Sequence, residues 1–321
     1  MTRQAVDLRH GLMVLDDPDA LLGNALAEFL APPEATGRVQ FALRVRGGDV
    51  PDAPPAGVGA EQSEREGIVL GFWRTPDQRH LLIAGSAALA TGPDASAVLT
   101  VAPGCRAAAL GELAMVALEE ALHASSQTLI HCAALLPPGA EGLVLIHAAS
   151  GTGKTTTALA LAGAGFGFAA DDAAVIGPDE GGAISAWGLP RALNLHRQSA
   201  AMLDWLRPAL PHPWPDRDEV SVPQGRLPPP VRREPRNLPV LALIELRRGT
   251  DAGLRPVSAG DALTALMADN IGVTASGLWP VQQGRLDLMV ALAGQVPCYE
   301  LRVGPGAKGL QAAILAMQSA F

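Results

Sequence analysis

The run Ser150-Gly151-Thr152-Gly153-Lys154-Thr155 constrains this chain more than any other stretch, because it stands between an apolar segment and an Ala/Leu-rich one. Before it, Gly142-Leu-Val-Leu-Ile-His147 follows the turn-like stretch from Pro137 to Gly142 and predicts a buried strand. After it, Thr155 to Ala164 is rich in helix formers and is closed by Gly165, which predicts a helix. A strand, a glycine-rich turn and a helix in that order aim successive backbone N–H groups and the positive helix end at one point. That geometry suits a phosphate chain. Ser150, Gly151, Thr152, Gly153, Lys154, Thr155 and Thr156 are therefore the candidate nucleotide-binding residues. Lys154 would reach the terminal phosphates of a nucleoside triphosphate, and the Thr155 hydroxyl would ligate Mg²⁺. The full pattern of such turns has one more glycine six positions before the lysine; here that position is Ala148.

A chain of 321 residues has room for one large domain or two. Apolar residues make up 48% but aromatic residues only 4%, so Ala, Leu and Val must fill the core. A formal charge of −8 supplies no basic field for a polyanion, which argues against nucleic acid as a partner. The longest apolar region, around Ala107 to Ala121, is interrupted by Glu112, Glu119 and Glu120 and predicts no membrane span. The N-terminus lacks the apolar segment of a secretory signal. Cys105, Cys132 and Cys298 form neither a disulfide framework nor a metal-ligand spacing. The expected location is cytoplasmic.

Residues 1–103 read as a smaller N-terminal α/β subdomain, and 104–321 as the domain that carries the glycine-rich turn. Asp16-Asp17-Pro18-Asp19 predicts the start of a helix through Phe29. Val39, Phe41, Leu43 and Val45 alternate with polar residues and predict a half-buried strand. The Pro/Ala/Glu-rich segment from Gly48 to Gly67 reads as a mobile loop. Further short strands are expected at Ile68 to Arg74, His80 to Ile83 and Ala97 to Val101. A long helix is expected from Cys105 to about Ser126, and then a single strand from Thr128 to Leu136 that carries His131.

Gly165-Phe-Gly-Phe-Ala-Ala-Asp171-Asp172 predicts a strand ending in paired carboxylates, with another apolar strand from Ala173 to Ile176. Adjacent acids at a strand end can simply form a solvated turn. Beside the strand of the glycine-rich turn, however, they would lie next to a γ-phosphate, where one can hold metal and the other can take a proton from an attacking hydroxyl.

His131 in a strand, Ser150 to Thr155, and Ala170-Asp-Asp-Ala-Ala-Val-Ile176 together resemble the catalytic domain of HPr kinase/phosphorylase. That family shares its phosphate loop and paired aspartates with ATP-dependent phosphoenolpyruvate carboxykinase. The resemblance spans roughly Thr128 to Val303 and is strongest over its first fifty residues. It implies an α/β fold with an HPr-kinase/PEP-carboxykinase-like P-loop core, with ATP and Mg²⁺ as cofactors. It also implies Asp171 as the base toward a serine hydroxyl, Asp172 and Thr155 on the metal side, Lys154 as charge stabiliser, and His131 completing the catalytic set.

The chain departs from the HPr enzymes at two places. Where they carry Glu-x-Arg-Gly-Leu-Gly, this chain has Ser185-Ala-Trp187-Gly-Leu-Pro190; where they carry Pro-Val-x-Pro-Gly-Arg-Asn, it has Pro256-Val-Ser-Ala-Gly-Asp261-Ala262. In the family those residues are tied to phosphorolysis and to recognition of HPr. The chain is more similar to the divergent HPr-kinase-like proteins associated with ribosomally made, modified peptides. The expected activity is transfer of the γ-phosphoryl group to a serine or similar hydroxyl on a peptide or protein, and a homo-oligomer is compatible with it. The rival readings are a nucleotide-binding regulatory or scaffold protein and a carboxykinase-like small-molecule transferase. The Pro-rich segment from Pro208 to Pro239, with Arg217, Arg226, Arg232, Arg233 and Arg236, reads as a substrate-side flap or a disordered insertion. Arg191 and Arg197 are the arginines expected to approach the nucleotide.

Overall fold

The structure, a computed structural model, describes residues 4–22, 25–31, 36–65, 67–228, 231–250, 252–272 and 280–321. The protein is mixed α/β with several sheets. It divides into two compact units, one running to Ser126 and one made of Gln127–Gly272 and Gln282–Phe321. No helix among the described residues is long and apolar enough to cross a membrane.

The first unit is built on β1 (Gln4–Asp7), β2 (Leu12–Asp16), β3 (Val39–Gly47), β4 (Glu61–Arg65), β5 (Ile68–Arg74), β6 (Arg79–Ile83), β7 (Ala87–Thr91) and β8 (Ser96–Val101). They form one sheet in the order β1-β2-β3-β8-β7-β6-β5-β4. In β3 the alternation turns Phe41, Leu43 and Val45 inward, against helix α1 (Ala107–Ala124). Because α1 packs on this sheet, the division falls at Ser126/Gln127 and not at residue 103. One charge on α1, Glu120, is buried and is met by Arg79, whose Nε donates to Oε1 at 3.1 Å. The expected helix after Asp16 is absent among the described residues of that stretch. Instead the Asp17 carboxylate accepts the Leu21 and Leu22 N–H groups at 2.9 Å each, and only a 3₁₀ turn forms, at Ala27–Phe29. Part of the expected loop before Gly67 is β4, which pairs with β5.

The second unit contains β9 (Thr128–Ile130), β10 (Ala133–Leu136), β11 (Leu143–His147), α2 (Lys154–Gly163), β12 (Gly167–Ala170), β13 (Ala174–Pro178), β14 (Ile184–Gly188), β15 (Leu193–His196), α3 (Arg197–Ala201) and β16 (Glu219–Val222). It continues with β17 (Arg232–Arg233), β18 (Leu238–Arg248), β19 (Gly253–Pro256), α4 (Ala259–Asn270), α5 (Pro280–Gln295), β20 (Cys298–Val303) and α6 (Gly306–Ala320). β11 pairs parallel with β18, and β18 pairs parallel with β20; β10 is antiparallel to both β11 and β12. The carboxyl ends of β12, β11, β18 and β20 therefore share one edge of the sheet. In α/β folds that edge is where ligands bind.

β11 is buried on both faces, which explains its uninterrupted apolar run. Val144 and Ile146 join a core with α2 and α6, while Leu143 and Leu145 join a second core with α4 and α5. The stretch from Thr128 to Leu136 is not one strand. Its first half pairs with β13 and its second with β11 and β12, so the chain breaks at His131 and Cys132. The Pro-rich segment is not a disordered insertion among its described residues. Val220 and Val222 alternate inward and pair β16 with β15, and Arg232–Arg233 adds to the sheet edge at β12.

His147 ends β11 beside Glu245 of β18, buried, with Nε2 unpartnered. Burial, reinforced by Arg247, pushes its pKa down to about 4. The unfolded chain protonates it near pH 6.5. Between those values the unfolded state binds more protons, so stability falls as pH falls from about 6.5 toward 4. His147→Leu is expected to remove that loss, worth up to about 3 kcal/mol, and to flatten the acid limb in urea melts. An acid limb as steep as that of the wild type would refute this account of His147.

Candidate functional site

The link from β11 to α2 is a tight turn with Gly151 at φ +75° and Gly153 at φ +107°. Both values lie in the left-handed region, which explains glycine at these two places. The Thr152 N–H closes the turn on the Ala149 carbonyl at 3.1 Å, and the first hydrogen bond of α2 runs from the Thr157 N–H to Gly153. The N–H groups opening α2 thus lack helical acceptors and face the end of the helix. A cavity of about 1090 Å³ opens here, lined by the turn, Asp171, Asp172 and His131, some residues between Arg191 and Met202, and the ends of β18 and β20.

Lys154 is the buried centre of this site. Its Nζ donates to the Asp171 carbonyl at 2.9 Å and to Asp172 Oδ1 at 2.5 Å. His131 Nε2 lies 2.6 Å from the same Asp172 oxygen, which leaves Asp172 Oδ2 outside these bonds. His131 stands here because the break between β9 and β10 frees its N–H, which donates to Asn270 Oδ1 at 2.6 Å. Thr155 Oγ1 donates to Asp171 Oδ2 at 2.9 Å. Thr156 Oγ1 donates to Ser199 Oγ at 2.8 Å, tying the first turn of α2 to α3.

The two carboxylates sit in opposite environments. Burial pushes the Asp171 pKa up to about 6 against the pull of Lys154 and Thr155, and its Oδ1 is buried without a partner. Burial also works against the charge of Asp172, but the hydrogen bond from His131 and the ammonium of Lys154 outweigh it and hold that group well below the usual carboxylate range. Asp172 is half exposed.

The residues expected at the site, Ser150 to Thr156, Asp171, Asp172 and His131, all line this one cavity. The Thr155 hydroxyl, expected on the metal side together with Asp172, donates to Asp171. Both aspartates meet the first turn of α2, Asp171 through Thr155 and Asp172 through Lys154. Arg191 lines the cavity as expected. Gly188 brings it there by passing so close to β12 that a Cβ would lie 1.8 Å from the Ala169 carbonyl oxygen. Arg197 does not line it. Its Nη2 donates to the Pro215 carbonyl at 3.1 Å and its guanidinium lies 5.7 Å from the centre of the Trp214 ring. Sequence reasoning missed Asn270, Ser199 and Arg248. Arg248 was the most findable of these, as the last residue of a strand parallel to β11.

The donor set fits a magnesium ion carried by a nucleotide. A hard cation takes oxygen ligands and shares them with phosphates, and the site offers the Thr155 hydroxyl and the orphaned Asp171 Oδ1. No cluster of three or more His, Cys, Asp or Glu suited to a metal ion exists among the described residues. The sequence matches no protein-family model and no curated protein.

The buried Asp171 carboxylate makes a stability prediction. Its folded pKa is raised, so ionisation opposes folding once pH rises from about 4 to 6, and the penalty is complete above that. Asp171→Asn is expected to stabilise the ligand-free protein by about 1–2 kcal/mol at pH 7.5 and to leave it unchanged at pH 4. Thermal melts at both values measure this; destabilisation at pH 7.5 would contradict the burial penalty.

Proposed function

We propose that the protein is an ATP-dependent kinase with an HPr-kinase-like P-loop core, transferring the γ-phosphoryl group to a hydroxyl on a peptide or protein. One observation carries the reading: Lys154, Thr155, Asp171, Asp172 and His131 form a single hydrogen-bonded group at the mouth of an anion-receiving turn. Phosphoryl transfer needs positioning and charge stabilisation more than covalent help, and these residues supply both. The turn's N–H groups would bind the phosphates and Lys154 would neutralise charge on the transferred group. Thr155 and Asp171 would hold Mg²⁺, which polarises the phosphates when bound. Asp172 Oδ2, steadied through Oδ1 by His131, would orient the acceptor hydroxyl and receive its proton. This assignment exchanges the roles of the two aspartates implied by the resemblance, on the strength of which one touches Thr155.

The acceptor would enter past Arg191 and the β15–β16 pair. A second cavity of about 410 Å³ there shares Asn194, His196, Asp218 and Glu219 with the first. An open groove of that kind accommodates an extended chain better than a small enclosed metabolite. The rival reading, a nucleotide-binding scaffold, draws support from β14. Ser185 and Trp187 stand where the HPr enzymes carry charge, and both are buried in structural hydrogen bonds to Gly177 and Gln127.

Mg-ATP is expected to raise the melting temperature, since only the folded chain binds it, and Lys154→Ala should abolish most of that rise. Equal melts of folded wild type with and without Mg-ATP would end the nucleotide reading. With labelled ATP and serine-containing peptides, Asp172→Asn should lose transfer by roughly a hundredfold while still binding Mg-ATP. Asp171→Asn should instead lose the magnesium dependence of binding. The reverse pattern would return the base role to Asp171, and a wild type that binds ATP but transfers to no hydroxyl would favour the scaffold.

A further inference from the structure

The residue that gives the glycine-rich turn its shape comes from another strand. Arg248, the last residue of β18, donates from Nε to the Thr152 carbonyl at 3.1 Å and from Nη2 to the Gly151 carbonyl at 2.8 Å. A trans peptide is planar, with its N–H pointing opposite to its C=O. Fixing the Gly151 and Thr152 carbonyls therefore fixes the N–H groups of Thr152 and Gly153. The first closes the turn on Ala149 and the second stands at the head of α2. Glycines at φ +75° and +107° can also adopt many other conformations, so such a turn needs an external restraint to keep its donors convergent. A bidentate guanidinium supplies one, and a lysine at that place could not span two carbonyls.

We propose that Arg248 is a positioning residue for nucleotide binding: by clasping the Gly151 and Thr152 carbonyls it holds the turn closed on Ala149 and pre-orients the Gly153 N–H at the head of α2 to receive phosphate. This inference rests on the nucleotide reading above and adds a position along the ligand. In the sheet, β18 lies on one side of β11, while β10 and β12, which lead from His131 and to Asp171, lie on the other. Arg248 thus acts away from the transferred phosphate. Its loss should weaken ADP and ATP alike, whereas a residue serving the γ-phosphate would affect ATP alone.

The test compares wild type, Arg248→Ala and Arg248→Lys by calorimetry with Mg-ADP and Mg-ATP, and by hydrogen exchange of the ligand-free turn. Arg248 is exposed, so the melting temperature of both variants should stay close to that of the wild type. Arg248→Ala is expected to weaken both nucleotides by about tenfold and to speed exchange across residues 151–154. Arg248→Lys is expected to recover little of either, since it restores charge without the two-point clasp. Full recovery by lysine would overturn the clasp in favour of simple charge attraction. Wild-type affinity and unchanged exchange in Arg248→Ala would overturn the inference while leaving the nucleotide reading standing. Absence of binding by the wild type would instead sink that reading itself, and with it this one.

Discussion

A buried ammonium must be paired or it loses its charge, and Lys154 is such a group. Its two partners, the Asp171 carbonyl and the Asp172 carboxylate, both stand at the end of β12, so β12 must end level with the head of α2. Asp172 in turn needs His131, and His131 reaches it only because the chain breaks between β9 and β10 to pair with different strands. Three separate segments are thus drawn to one point by a single charge. The hydrophobic cores on the two faces of β11 make the platform rigid, but they would tolerate many registers of the turn; the ammonium selects one.

How much of this was legible in the sequence depended on whether the signal was local. The turn, β11, α2 and the aspartate pair were readable because strand, turn and helix signals there agree and lie within about thirty residues. The break at His131 was not, since Thr128 to Leu136 is apolar apart from Thr128 and His131 and nothing in it says that its halves pair with different strands. The missing helix after Asp16 has another cause. Asp17 is a good N-cap, and here its carboxylate does accept two N–H groups, but the chain turns away without propagating a helix. Arg191 could be placed by its neighbourhood to the Gly188 turn, whereas Arg197, six residues on, is spent on Trp214 and Pro215.

The Pro-rich segment shows the same limit from the other side. Its composition argues against a central strand, and the structure agrees, since β17 lies at a sheet edge and β16 in a two-stranded pair. Composition could not reveal that Val220 and Val222 pack into the core shared with α2, or that Glu234 is buried and held by Arg236. Arg236, which looks available for phosphate from sequence, is therefore committed to local structure.

Two adjacent aspartates differ strongly here because their burial and partners differ, not their own chemistry. Both follow the end of β12 and both meet the first turn of α2, but at different residues, Asp171 at Thr155 and Asp172 at Lys154. Asp171 is desolvated and keeps one oxygen on Thr155 and one with no partner. Asp172 is half exposed, with one oxygen crowded by two donors and the other outside those bonds. A desolvated carboxylate with an orphaned oxygen is costly until a cation arrives, which is the condition under which cation and nucleotide would bind together. An open carboxylate bonded to an imidazole and an ammonium has that cost offset by its partners. Under the proposed reading, this difference in burial and partners would separate a cation-holding role from an acceptor-orienting one within a single pair of residues.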